Sequence, residues 1–103
     1  MNSGLTEVKG VLEKIIFICK QYDSITKVVA FGSRARGTHK RTSDIDLCLF
    51  GVSEEKQYFI LDAVDEMDTH YSLDILFFEN LDKETLKESI LRDQIVIYER
   101  EGI

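Results

Sequence analysis

The sequence lacks several features that would mark a membrane, secreted or disulfide-rich protein. Its 103 residues include no proline and only two cysteines, Cys19 and Cys48, which stand in apolar segments without the spacing of a disulfide framework or a metal site. No apolar run reaches the length of about 18 residues that a membrane helix needs. The N-terminus has no basic start leading into an apolar stretch, as a secretory signal would. These absences predict a reduced, cytoplasmic protein that does not contact membranes.

Linkers, low-complexity tracts and internal repeats are also missing. We therefore expect residues 1–103 to form one domain, with no length left for a second one. Short apolar and β-branched runs predict strands, and apolar residues at three- and four-residue spacing predict helices. The expected strands are Lys27–Phe31, Asp44–Phe50, Ser72–Phe78 and a closing strand or tail at Ile95–Tyr98, and the expected helices cover about 3–21, Glu54–Asp68 and Leu81–Arg92.

Helices that alternate with strands in a chain of this length predict a small sheet with helices packed over one face. The class is α/β or α+β, and the pattern leaves the order and direction of the strands open.

Acidic residues are absent from residues 24–43, although the whole chain has a net charge of −6. This block carries five basic residues, whereas residues 44–103 carry 16 acids against five bases. A nucleic-acid-binding protein usually presents a broad basic face, so we expect no direct nucleic-acid binding. One concentrated basic segment suits a compact anion such as a phosphate group.

Two carboxylates alternate with apolar residues in the second predicted strand. Because side chains alternate between the faces of a strand, Asp44 and Asp46 should leave one face together, about 7 Å apart. Asp74 has the same setting in the next strand, between Leu73 and Ile75. Three carboxylates on one patch repel each other unless cations neutralise them, and Mg²⁺ is the cation that oxygen ligands and phosphates favour. The alternative is that these acids are solvated surface groups.

A possible phosphate site precedes the carboxylates. The first strand ends in Gly32-Ser33, where glycine would let a phosphate approach the backbone and serine offers a hydroxyl. Arg34 and Arg36 follow directly. The alternatives are an ordinary turn at Gly32-Ser33 and a solvated loop at the arginines.

The run from Gly32-Ser33 through ten residues to Asp44-Ile45-Asp46 matches the nucleotidyltransferase signature G-S-x10-D-x-D. Together with Asp74, it resembles the minimal nucleotidyltransferase (MNT) domains of the DNA polymerase β-like superfamily. The resemblance extends to the closing helix and strand, although Gln94 stands where those domains often have glycine. It implies that Asp44 and Asp46 hold two Mg²⁺ ions and that Asp74 completes this metal site and helps to activate the acceptor.

By the same resemblance, Gly32 and Ser33 hold the β- and γ-phosphates of a nucleoside triphosphate, with Arg34 or Arg36 assisting. The family transfers a nucleoside monophosphate to an acceptor hydroxyl and releases pyrophosphate. Minimal domains of this kind resemble antitoxins that transfer AMP from ATP to a tyrosine of a cognate HEPN-domain ribonuclease toxin, and we expect this function. Two alternatives stay open: a catalytically weak antitoxin that neutralises its partner by contact, and a small-molecule nucleotidyltransferase that needs a second subunit.

The strand face that carries the carboxylates continues in apolar side chains, at Cys48, Phe50, Leu76 and Phe78. An exposed apolar strip beside a catalytic site often marks a partner surface. The sequence therefore suggests that the acceptor protein docks here, unless the segment Ile95–Tyr98 covers the strip.

Overall fold

A computed structural model describes residues 3–101 and shows five α-helices, four strands and one turn of 3-10 helix. In chain order these are α1 (Ser3–Thr6), α2 (Lys9–Cys19), β1 (Lys27–Phe31), α3 (Gly32–Arg36), β2 (Ile45–Phe50), α4 (Glu54–Asp65), β3 (Leu73–Phe77), the 3-10 turn (Phe78–Asn80), α5 (Glu84–Asp93) and β4 (Ile95–Glu99). No helix among these residues has both the length and the apolar character to cross a membrane.

The four strands form one mixed sheet in the order β3-β2-β1-β4. β1 is antiparallel to both of its neighbours, and β2 is parallel to β3. The register places Asp46 opposite Phe31 on one side and opposite Asp74 on the other. The predicted class, a small mixed sheet with helices, is confirmed, and the register supplies the strand order that the sequence left open.

The larger part of the core lies on one face of the sheet. Strand residues such as Val28, Leu47 and Leu49 are fully buried there, because α1, α2 and α4 pack their apolar sides against them. Leu12 and Ile15 of α2 belong to the same cluster. Burial of the apolar side chains in this cluster supplies most of the favourable free energy of folding, at roughly 25 cal/mol per Å² of apolar surface removed from water.

A second, smaller cluster occupies the opposite face and corrects one expectation. Val29 and Cys48 lie there beneath Ile90 of α5, so the helices do not all pack on one face. The chain must cross the sheet to bring β4 to the edge opposite β3, and α5 makes this crossing.

The apolar strip at Cys48, Phe50, Leu76 and Phe78 is therefore part of this second cluster. The ring centroids of Phe50 and Phe78 lie 4.5 Å apart. Ile90 of α5 packs in this cluster, where Cys48 is fully buried while Phe50, Leu76 and Phe78 are half-buried. β4, which holds the segment Ile95–Tyr98, lies in the sheet itself. The strip is therefore not a fully exposed apolar face, and docking of a partner on its half-buried residues stays a prediction.

The predicted N-terminal helix is interrupted at residues 7–8. The amide of Val8 donates to the carbonyl of Leu5, while the carbonyl of Gly4 accepts a hydrogen bond from Arg34 instead. The α-helical bond from residue 8 to residue 4 is thus replaced, and α1 turns away from α2 to pack on α3.

Candidate active site

The site begins at Gly32, the first residue after β1. This glycine has a φ of 75°, a backbone conformation that residues with a Cβ rarely adopt. A Cβ at this position would also overlap a carboxylate oxygen of Asp46. Glycine is therefore needed twice, for its dihedral angle and for its close approach to the carboxylate. Ser33 follows in the first turn of α3 and is half-buried.

The carboxylates lie on the sheet face that α5 packs against, at the end of that face that the helix leaves uncovered. Asp46 and Asp74 are aligned across β2 and β3, as the alternation predicts. Asp44 stands one residue before β2 and is exposed, as is Asp74, whereas Asp46 is half-buried. Asp46 and Asp74 lie on the same face as Val29 and Cys48, and Asp46 is aligned with Phe31, which packs at the margin of the second core cluster.

The carboxylate of Asp46 has an unusual acidity. Its pKa is raised from 3.8 to about 6, first because burial penalises the charged form and then because Asp74 and Asp44 repel it. Arg36 opposes this shift and lowers the pKa. At neutral pH, a carboxylate in this environment favours the binding of a cation.

The donor set suits a hard cation, since carboxylate oxygens are the ligands that Mg²⁺ prefers. Within residues 3–101, however, no three His, Cys, Asp or Glu side chains lie close enough together to hold a metal ion as they stand. Asp44, Asp46 and Asp74 are therefore electrostatically coupled but not yet gathered around one point. Side-chain movement or ligand oxygens from a nucleotide would have to complete the coordination.

Arg36 is available to an anion. Its side chain is 48% exposed, and its Nη1 atom lies 3.3 Å from Oδ2 of Asp93 at the end of α5. Hydrogen bonds from Arg92 and from Arg36 hold the pKa of Asp93 below its usual range. Arg36 thus pairs with Asp93 at the end of α5 and its charge also acts on Asp46.

Arg34 does not fit the expected role beside the phosphates. Its side chain is only 1% exposed and its guanidinium is taken up by hydrogen bonds to Gly4, Glu7, Arg41 and Ser43. In this arrangement all five N–H donors of Arg34 are in use, and the charge pattern of the sequence does not distinguish Arg34 from the exposed Arg36.

Sequence reasoning also missed a groove along the free edge of β3. It has a volume of about 410 Å³ and is lined by Leu61, Val64, Asp65, Met67, Thr69, Tyr71, Leu73, Asp74 and Ile75. Asp74 thus belongs both to the carboxylate group and to an open groove at the edge of the sheet. Only the pairing of β3 at the sheet edge reveals this groove, and the order of strands was not readable from the sequence.

Comparison with known proteins agrees with this geometry. The profile of the family described as "Polymerase beta, Nucleotidyltransferase" matches residues 13–102. No curated protein matches the chain by sequence.

Several solved structures share the fold, and three of them illustrate the range. A toxin–antitoxin structure with AMP-PNP is 17% identical with a TM-score of 0.66, over 87% of this chain and 74% of that one. The toxin–antitoxin MntA–HepT is 12% identical with a TM-score of 0.62, over 90% and 74% of the two chains. A structure described as a minimal nucleotidyltransferase is 22% identical with a TM-score of 0.60, over 88% and 93%. With the profile match over most of its length, the chain belongs to the polymerase β nucleotidyltransferase family.

Proposed function

We propose that this domain transfers AMP from ATP to a hydroxyl group of a partner protein, and that it acts as the antitoxin of a HEPN ribonuclease toxin by modifying a tyrosine. The observation that carries the proposal is the position of Asp46, with Gly32 against its carboxylate on one side and Asp74 in register on the other. Toxin–antitoxin structures with the same fold, one of them with AMP-PNP, support both the nucleotide and the kind of partner. We assign the activity to the cytoplasm, where the free thiols of Cys19 and Cys48 would stay reduced.

The transfer exchanges one bond at the α-phosphorus of ATP. The acceptor hydroxyl oxygen forms a bond to this phosphorus, and the bond to the oxygen that bridges to the β-phosphate breaks, which releases pyrophosphate. The hydroxyl proton goes to the carboxylate of Asp74, which is exposed and lies beside the open groove. In-line displacement requires that the attacking hydroxyl and the leaving pyrophosphate are held on opposite sides of the α-phosphorus.

Asp44, Asp46 and Asp74 are the residues that would hold magnesium. Magnesium, when bound, supplies positive charge that stabilises the attacking and leaving oxygens of the displacement. The register that places Asp46 beside Asp74 supports this assignment. Burial, and after it repulsion from Asp74 and Asp44, raises the pKa of Asp46, and a bound cation would relieve that repulsion.

Gly32, Ser33 and Arg36 would contact the triphosphate. Gly32 at the start of α3 lies directly against the Asp46 carboxylate, so a triphosphate held here would lie beside the proposed metal site, and the Ser33 hydroxyl can donate to a phosphate oxygen. Arg36 would exchange its ion pair with Asp93 for one with a phosphate, and its exposed guanidinium allows that exchange.

A labelling experiment tests this proposal. The protein is incubated with MgCl₂, ATP labelled at the α-phosphate and a candidate partner, which is a small helical protein with an Arg-x4–6-His-x-Tyr motif encoded by the adjacent reading frame. We expect label on the partner with the parent protein and with Asp62→Asn, an exposed control on α4. Asp46→Asn should transfer none, and replacement of the motif tyrosine by phenylalanine should remove the acceptor. Label transfer by Asp46→Asn at the parent rate would refute the proposal.

A second candidate function is neutralisation of the partner by contact alone. The lack of a preassembled three-ligand metal group in residues 3–101 favours it. The two candidates differ in one result: an antitoxin that acts by contact protects cells from the toxin equally well with Asn at position 46, whereas an enzymatic antitoxin does not.

A further inference from the structure

Arg34 is the one charged side chain of residues 3–101 that is fully buried. An arginine in the interior is tolerated only where each donor finds an acceptor, because removing the charge from water is costly. Its nitrogen atoms make five hydrogen bonds of 2.9–3.2 Å, to Gly4, Glu7, Arg41 and Ser43. We call these four residues and Arg34 the Arg34 cluster.

The Arg34 cluster joins two distant parts of the chain. Nη1 donates to the Gly4 carbonyl at 2.9 Å and to the Glu7 carboxylate at 3.0 Å, both at the N-terminus. Nε and Nη2 donate to the Ser43 carbonyl at 3.2 and 3.0 Å, and Nη2 also donates to the Arg41 carbonyl. Ser43, whose carbonyl accepts hydrogen bonds from two nitrogen atoms of Arg34, directly precedes Asp44.

Close packing at Gly4 shows that α1 is seated tightly on this arginine. A Cβ at Gly4 would come within 2.6 Å of the Arg34 carbonyl oxygen and 2.8 Å of Nδ1 of His39. The carbonyl is backbone and cannot move aside as a side chain could. The absence of a side chain at Gly4 therefore permits the hydrogen bond that Arg34 makes with its carbonyl.

We propose that the Arg34 cluster fixes the backbone in front of Asp44, and that Arg34 is a positioning residue for the carboxylate site. Asp44 lies outside β2, so its position depends on how residues 37–43 are held. The guanidinium provides that support from one side, and Gly4 and Glu7 hold the guanidinium. Residues 3–7, which precede the family match at 13–102, are then part of the scaffold of the site. The inference that this positioning affects metal binding rests on the proposed function.

Native-state hydrogen exchange tests the positioning without any ligand. The amides of Lys40, Ser43 and Ile45 report on the supported segment, because each makes a hydrogen bond within it or beside it. In Arg34→Gln we expect these amides to exchange about tenfold faster than in the parent, while the core amide of Leu47 changes much less. A general loss of stability would instead accelerate the core amide of Leu47, which exchanges through global unfolding, at least as much as the amides of the exposed turn.

Arg100→Gln is the matched control. Arg100 also donates to two carbonyls, those of Ile25 at 3.0 Å and Tyr22 at 2.9 Å, but at the other end of β1 from Gly32. Its replacement should leave the exchange of Lys40 and Ser43 unchanged. Mn²⁺ binding, followed by electron paramagnetic resonance, should weaken about tenfold in Arg34→Gln and stay at the parent value in the control.

The outcomes separate the two proposals. If Mn²⁺ does not bind to the parent, the proposed metal site fails, and hydrogen exchange still decides the role of Arg34. Equal exchange of Lys40 and Ser43 in parent and variant overturns the positioning role. Arg34→Lys, which keeps the charge but cannot donate to both sides, replaces the glutamine variant if the latter does not fold. Failure of both variants to fold, with Arg100→Gln folded, would assign Arg34 to the whole fold and overturn the proposal.

Discussion

Replacing Asp46 by asparagine should remove transfer activity and yet make the metal-free protein more stable at neutral pH. The carboxylate of Asp46 is half-buried, and Asp74 and Asp44 repel its charge. Asparagine has nearly the same shape and no charge, so it removes the desolvation and repulsion that the folded state bears. The gain in stability and the loss of function have the same cause, since a site for a cation must keep carboxylates that repel each other in its absence.

The magnitude follows from the pKa of Asp46, which rises from 3.8 to about 6 on folding. A shift of about two pH units corresponds to about 3 kcal/mol. Because the side chain is partly exposed, solvent screening reduces this, and we expect about 1–1.5 kcal/mol. For a domain of this size, 1 kcal/mol moves the melting temperature by about 4–8 °C.

The size of this gain depends on pH. The folded state binds the proton of Asp46 more tightly than the unfolded chain, so the parent loses stability from this group as the pH rises from about 4 to about 6. The advantage of Asp46→Asn is thus full above pH 6 and disappears near pH 4. Chemical denaturation followed by circular dichroism, in EDTA at pH 7.5 and pH 4, measures it.

Asp62→Asn on the exposed side of α4 is the control, and it should match the parent at both pH values. An Asp46→Asn protein that is no more stable than the parent at pH 7.5 would refute the electrostatic argument. A gain of equal size at pH 4 would refute it as well, because asparagine would then stabilise by packing or hydrogen bonding.

Four further outcomes are expected. Asp74→Asn should lower the transfer rate by a factor of hundreds in the labelling assay, while calorimetry still detects Mg·ATP binding, because its role is in activating the acceptor. Gly32→Ala should abolish transfer and lower stability by about 1–3 kcal/mol in urea denaturation, since φ is positive there and the new methyl group displaces the Asp46 carboxylate. Mg²⁺ affinity, measured by calorimetry, should fall as the pH drops below about 6, where Asp46 takes up its proton. Ile90→Ala should cost about 2–5 kcal/mol in the same denaturation assay, because this fully buried side chain covers the second sheet face.

Local periodicity was enough to predict the alignment of the carboxylates. Alternation in a strand has a fixed period of two, so the side-chain face of Asp46 and Asp74 depends only on neighbours in sequence. The register that pairs them across β2 and β3 agrees with that expectation. The limits of the strands are also local, and β2 differs from its prediction only in leaving out Asp44.

The fate of Arg34 could not be predicted in this way. Arg34 and Arg36 stand two residues apart in the same basic run, yet one is 1% exposed and the other 48%. The difference arises because α1 returns to α3 and brings the carbonyl of Gly4 and the carboxylate of Glu7 to one of them. Such a contact joins residues about thirty positions apart, and charge patterns carry no information on it.

The position of α5, taken together with the sequences of β2 and β3, explains why the carboxylates lie at the open end of one sheet face. Along one face of β2 the side chains change from acidic at Asp46 to apolar at Cys48 and Phe50, and β3 repeats the change from Asp74 to Leu76. The apolar half needs a cover, and α5 supplies it while crossing toward β4. The acidic half stays open for the same reason, since a helix over it would bury charges without partners. In the proposed reaction, an acceptor would approach the carboxylates from the open end of the sheet or along the edge of β3, where Asp74 borders the groove.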